Sequence, residues 1–276
     1  MSRVPHVLAV AIVAAVVAWA ATSRGPAIKQ APTARVVESV HVSLGTPTDA
    51  DPSHDYIIAR PQYVTSYNRA RNGPNWVAWR LRAADFGGQG RHHGHFITDD
   101  SLPDGWYRVQ HADYTRTDYD RGHLLASEYR TASRVDNEST FLLSVVLPQR
   151  HDLNGGPWLR LEEACRHLAQ HDGRELYIVA GGIFAAQPAT IGHGIAVPLA
   201  WWKAVVVLAP EQGPEAVTAA TRTIAVVMPN IDGIAAQPWA IYRTTLADVE
   251  QRSGYRLLGR VSEPVRRVLA TQVDAQ

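Results

Sequence analysis

The chain has 276 residues, 46% of them hydrophobic and 19% charged, which suits one well-buried domain of about 200 residues with extensions and excludes a disordered chain. Its net charge is only +1, so no overall basic field marks it as a nucleic-acid binder. The single cysteine, Cys165, excludes an internal disulfide and any zinc site built from several cysteines.

Arg3 precedes an apolar run from Val7 to Ala21, and Ala18-Trp19-Ala20 offers a small-x-small cleavage site. The run is shorter than the about 20 residues of a membrane span, so residues 1–21 read as a secretory signal peptide, with an uncleaved membrane tether through residues 7–21 as the alternative. Either reading puts the body of the protein outside the cytoplasm, as a secreted, periplasmic or membrane-anchored protein. Residues 22–54, rich in Pro, Thr, Ala and Ser, read as a linker or loose lead-in. The folded domain is expected over 55–262, with 263–276 as a tail that forms an amphipathic helix or frays.

Within the domain, Tyr63 to Tyr67 and Trp76 to Leu81 have strand composition and flank a turn with Gly73-Pro74, which predicts a hairpin. From Ala84 to Gly105 the periodicity breaks; irregular chain of that length inside a domain is functional or mobile. It carries Arg91-His92-His93-Gly94-His95. Three histidines in four positions invite a metal reading, but adjacent histidines rarely converge on one ion, and a solvated loop is preferred. Arg91 is a candidate phosphate contact or a plain surface arginine.

Asp120-Arg121-Gly122-His123 follows. It sets a permanent cation, whose forked donors suit phosphate, beside an imidazole able to take a proton near neutral pH. Leu124 to Tyr129 suggests a short helix, and Ser139 to Leu147 a strand stopped by Pro148. Gln149 to Gly156 is turn-rich. Pro157 suits a first helical position, and Trp158, Leu161, Cys165 and Leu168 recur at helical spacing, so a helix is expected from Pro157 to about His171. Asn154 then sits just before a helix entrance, where a capping or turn role is the common case. Glu162 lies beside the apolar stripe, where a half-buried carboxylate needs a partner. Further strands are expected at Glu175–Ala180, Ala204–Leu208 and Thr223–Met228, and a short helix over Thr245–Ser253 capped by Thr245. The fold class is α+β: a central mixed or antiparallel sheet, helices packed on its faces, and the Asp120–His123 site at one edge.

In their order and spacing, Asp120-Arg121-Gly122-His123, Phe141-Leu142-Leu143-Ser144, Pro148-Gln149, Leu153-Asn154-x-x-x-Trp158 and Leu161-Glu162 resemble the DNA/RNA non-specific endonuclease family, which includes endonuclease G and shares a ββα-metal active site. Trp76 to Leu81, Phe96 with Asp99-Asp100-Ser101, Ala196 to Lys203 and Val227 to Asn230 resemble further segments of that family, so the likeness spans roughly residues 60 to 260. It implies that His123 is the general base and Asn154 the single direct protein ligand of Mg²⁺, with Mn²⁺ as the alternative ion. It further implies that Glu162 orients the water of the metal's shell and that Arg121 holds phosphate. Arg91 is the local candidate for a second, upstream arginine, while Asp120 is expected to brace the loop. DNA and RNA would be cut with little sequence preference, because backbone contacts carry no sequence information. The ends would be 5′-phosphate and 3′-hydroxyl. One position departs from the family: Val145 stands where Asn usually follows the serine. This motivates the alternative of a catalytically weak nucleic-acid-binding homologue; a histidine-rich metal binder using His92, His93 and His95 is a third reading.

Overall fold

The computed structural model describes residues 38–276. The apolar run at 7–21 and its targeting role lie outside the described residues. In chain order the strands are β1 (Tyr56–Ala59), β2 (Val64–Asn68), β3 (Gly73–Leu81), β4 (Asp120–His123), β5 (Val146–Gln149), β6 (Glu175–Ile183), β7 (Thr190–Ile191), β8 (Ile195–Ala196), β9 (Ala200–Leu208), β10 (Arg222–Pro229) and β11 (Arg243–Thr244). Seven of them form one sheet in the order β1-β2-β3-β6-β9-β10-β11, and every neighbouring pair is antiparallel. Strands β4 and β5 pair separately, as do β7 and β8.

The sheet is buried on both faces, and β9 shows why its sequence is almost wholly apolar. All nine of its residues are buried. Trp201, Val205 and Val207 join one core; Trp202, Ala204, Val206 and Leu208 join the other, in the alternation that a pleated strand imposes. Among the described residues, four α-helices of six residues or more complete the layers: α1 (Arg134–Ser139), α2 (Leu159–Gln170), α3 (Leu246–Ser253) and α4 (Glu263–Thr271). Helix α2 sends Leu161, Cys165 and Ala169 into the first core, beside Trp79 and Val226. Helices α3 and α4 send Leu246, Val249, Leu269 and Ala270 into the second. The α3 cap is as expected: Thr245 accepts a hydrogen bond from the Asp248 N–H at 3.0 Å.

Both ends of the described chain pack onto this frame. Val42 and Leu44, within the stretch read as a lead-in, are buried in the second core. The tail does not fray: after α4, Asp274 is buried and accepts two hydrogen bonds from Arg222 of β10.

Four local expectations are corrected. Leu124 to Tyr129 forms only a 3-10 turn at Ser127–Tyr129. The run Ser139 to Leu147 is not one strand. Its first part pairs with Ile97, a 3-10 turn follows at Leu143–Val145, and β5 begins only at Val146. Apolar, β-branched composition cannot reveal such a turn. Pro148 does not stop β5 but lies within it, opposite Arg121. A proline is tolerated there because β5 has a strand on one side only, and on the other the Asn230 side chain donates to the Pro148 carbonyl and accepts from the Arg150 N–H. Finally, α2 starts at Leu159, after a wide π-type turn over Asn154–Trp158 that contains Pro157.

Candidate active site

Strands β4 and β5, the wide turn and α2 form a continuous ββα unit. The strands pair from Asp120↔Gln149 to His123↔Val146. Gly122 allows their close packing on the main sheet, since an added Cβ would lie 2.7 Å from the Trp201 ring and 2.6 Å from the Gln149 Cβ. The turn returns to β4 twice. The Trp158 indole donates to the His123 carbonyl at 3.3 Å, and the Asn154 amide Nδ2 donates to Asp120 Oδ2 at 2.9 Å.

The His123 ring lies 5.0 Å from Phe96 and 4.9 Å from Phe141, centroid to centroid. Its Nε2 is buried without a hydrogen-bond partner. Burial among these rings, helped by the Arg91 cation, pushes its pKa down to about 3, so the imidazole is neutral at neutral pH. Arg91 donates to Ser127 Oγ at 2.5 Å and lies over Phe141 at 5.1 Å. The irregular loop that carries it is pinned by buried Asn137, whose Oδ1 accepts from the His92 N–H. Arg121 donates to the His111 carbonyl at 2.7 Å and packs on Tyr114 and Phe96. Neither Arg91 nor Arg121 has a carboxylate partner among the described residues.

Asn154 has its donor end fixed on Asp120, which leaves its carbonyl oxygen without a protein partner among the described residues. Asp120 also accepts from His151 Nδ1 at 2.9 Å, and this hydrogen bond raises the His151 pKa. Glu162, on the first turn of α2, turns Oε1 toward Lys203 Nζ at 3.6 Å. Burial raises its pKa, opposed by the Lys203 and Arg91 cations.

The five residues singled out from sequence, Arg91, Arg121, His123, Asn154 and Glu162, are thus linked around β4 and the start of α2. The histidines at 92, 93 and 95 do not converge. His95 stacks on His111 at 4.2 Å, His92 lies against Phe141, and among the described residues no three His, Cys, Asp or Glu side chains gather as a metal site. What the ββα unit offers instead is one hard amide oxygen, a donor suited to an ion that keeps most of its own water. Val145 is buried in the first core, so the side chain that departs from the family pattern serves packing. Sequence reasoning did not assign Asp120 the orienting of Asn154, nor find the two phenylalanines around His123 or the partner of Glu162. A lysine inside the apolar run of β9 was the available signal for the last.

The family model for DNA/RNA non-specific endonucleases matches residues 42–263. A nuclease of Nostoc sp. is 39% identical over 241 residues, covering 86% of each chain. Human mitochondrial endonuclease G is 29% identical over 208 residues, 71% of this chain and 67% of that protein. The fold matches that of a chain in the EndoG/EndoGI complex with a TM-score of 0.70 at 24% identity, over 86% of this chain and 97% of that one. The chain belongs to the DNA/RNA non-specific endonuclease family and is a nuclease.

Proposed function

We propose that the protein is a metal-dependent endonuclease that hydrolyses DNA and RNA with little sequence preference, leaving 5′-phosphate and 3′-hydroxyl ends. The observation that carries this reading is the meeting, at one ββα unit, of an unpartnered neutral imidazole and the Arg121 guanidinium of its first strand with Arg91 from the preceding loop, neither arginine being paired with a carboxylate among the described residues. Such a constellation is built for an anion that must be held while water is deprotonated beside it. Arg121 and Arg91 bind the scissile phosphate and balance the charge that grows on it in the transition state. His123 takes the proton of the attacking water through Nε2, which has no competing partner. Asn154 would hold the ion through its free carbonyl oxygen, and Glu162 would orient water beside it. Mg²⁺ fits this single hard donor, with Mn²⁺ as substitute; bound there, the ion would supply charge neutralisation for the phosphate and its leaving oxygen. The N-terminal apolar run supports action outside the cytoplasm, and the mass of the mature chain would tell whether that run is removed.

Digestion of plasmid DNA and of RNA, with and without EDTA, tests the reading. Wild type is expected to cut both, to stop with EDTA, and to lose at least about 100-fold in rate on His123→Ala. A folded protein that binds nucleic acid without cutting it would instead support a weak homologue, the reading motivated by Val145.

A further inference from the structure

Lys203 is one of two lysines in the chain and stands inside a strand whose other residues are all apolar. Its side chain has no exposed surface. The ammonium lies 3.6 Å from Glu162 Oε1, 4.0 Å from the centre of the Trp158 ring and 5.8 Å from that of Trp79. Neither Nζ nor Oε1 has a hydrogen bond. Glu162 is the one carboxylate within ion-pair distance of it among the described residues. Two aromatic faces and one carboxylate therefore hold a cation in a dry place, where each interaction is stronger than at the surface.

A buried ion pair is a poor device for stability alone, because well-packed apolar residues of the same volume serve as well or better. This pair is not remote from the chemistry. Trp158, whose face receives the Lys203 cation, is the residue whose indole N–H holds the His123 carbonyl. Glu162 meets Lys203 from the sheet side, while the Arg91 cation acts on it from the loop. Arg91 rides on an exposed loop; Lys203 is built into the centre of β9, paired with β6 and β10 on either side.

We propose that Lys203 is a positioning residue: from the floor of the site it fixes the Glu162 carboxylate by charge, acting on the reaction through Glu162 and not on substrate. The proposal rests on the nuclease-site reading above. The test is a double-mutant cycle on the full chain with Lys203→Met, Glu162→Gln and the two together, with His123→Ala in parallel, read by kcat and KM on DNA and by urea unfolding. Lys203→Met is expected to lower kcat by about 100-fold with KM within about twofold, the pattern of a group that matters only in the transition state. In the Glu162→Gln background it should lower kcat no further. In unfolding, the double variant should be more stable than Lys203→Met, because it no longer buries an unpaired carboxylate. An equal loss of kcat with and without the Glu162 carboxylate overturns the proposal, as does an unchanged kcat in Lys203→Met. If wild type does not cut, or His123→Ala cuts as well as wild type, the site reading fails instead. The unfolding cycle then still decides the pair, because equal destabilisation by Lys203→Met in both backgrounds excludes the coupling.

Discussion

An asparagine side chain has a donor end and an acceptor end of nearly the same shape, so what it offers a cation depends on what turns it. An ionised carboxylate only accepts. Asp120 Oδ2, 2.9 Å from Asn154 Nδ2, therefore fixes the donor end and presents the carbonyl oxygen outward. The aspartate that opens Asp120-Arg121-Gly122-His123 thus acts on the proposed metal ligand 34 residues away, while the arginine and histidine of the same strand are the proposed contacts of phosphate and water. Partners of this kind commonly tune metal affinity by 10- to 100-fold, about the effect expected of Asp120→Asn, which keeps the shape but no longer dictates which end of Asn154 faces it. The Mg²⁺ concentration that half-activates DNA cleavage should rise by that factor, with unfolding free energy changed by less than about 1 kcal/mol. An unaltered Mg²⁺ requirement in a folded Asp120→Asn protein would exclude the orienting role.

At the scale of elements, β3, β6, β9 and β10 were legible as largely apolar runs bounded by turn residues, β2 by its strand-forming composition, and α2 because Leu161, Cys165 and Leu168 mark one helical face. The order of strands across the sheet was not legible, since pairing such as β3 with β6 joins residues about a hundred apart and leaves no local period. The candidate site divides in the same way. Its chemical residues stand in a recognisable string, but their supports, namely Phe96 and Phe141 around His123 and Lys203 below Glu162, arrive from distant segments. The C-terminal tail shows the cost of missing one such partner. Read alone it could fray; in the fold, the Asp274 side chain is 2% exposed and takes hydrogen bonds from Arg222 at 2.8 and 2.9 Å. Removing Arg222 takes both of these hydrogen bonds from a buried carboxylate and leaves it only the Arg243 guanidinium at 3.9 Å, so Arg222→Met is expected to cost about 3 kcal/mol in urea unfolding. Arg222→Met with Asp274→Leu should recover much of that loss. A cost for Arg222→Met below about 0.5 kcal/mol would mean that the tail is not held there in solution.

For the whole molecule, the N-terminal turn and the sheet are joined by one buried imidazole, and this makes the stability of the domain sensitive to acid. His41, in the turn Val40–Val42, accepts at Nδ1 from the Arg80 N–H of β3 at 3.1 Å. Its Nε2 is 2.8 Å from the Pro61 carbonyl and donates to it. Both ring nitrogens are thus committed to the neutral form, and a second proton would have to sit at Nδ1, facing a donor. Burial is the main cause that pushes the His41 pKa down to about 4, with the Arg130 and Arg80 cations adding to it against the Pro61 hydrogen bond and Asp85. The sign follows from proton uptake. Between pH 6.5 and 4 the unfolded chain binds a proton at this histidine that the folded chain refuses, so unfolding is favoured increasingly as pH falls. A displacement from the ordinary histidine value of 6.5 to about 4 corresponds to about 3 kcal/mol, present above pH 6.5 and lost by about pH 4. His123, buried and also depressed, pulls in the same direction. The contribution of His41 is therefore isolated by comparison with His41→Gln, which keeps a donor and an acceptor but does not titrate. Urea unfolding at pH 6.5 and at pH 4 should show wild type losing about 3 kcal/mol more than the variant. Equal losses in the two proteins would mean that the turn opens and releases His41 to water before the domain unfolds.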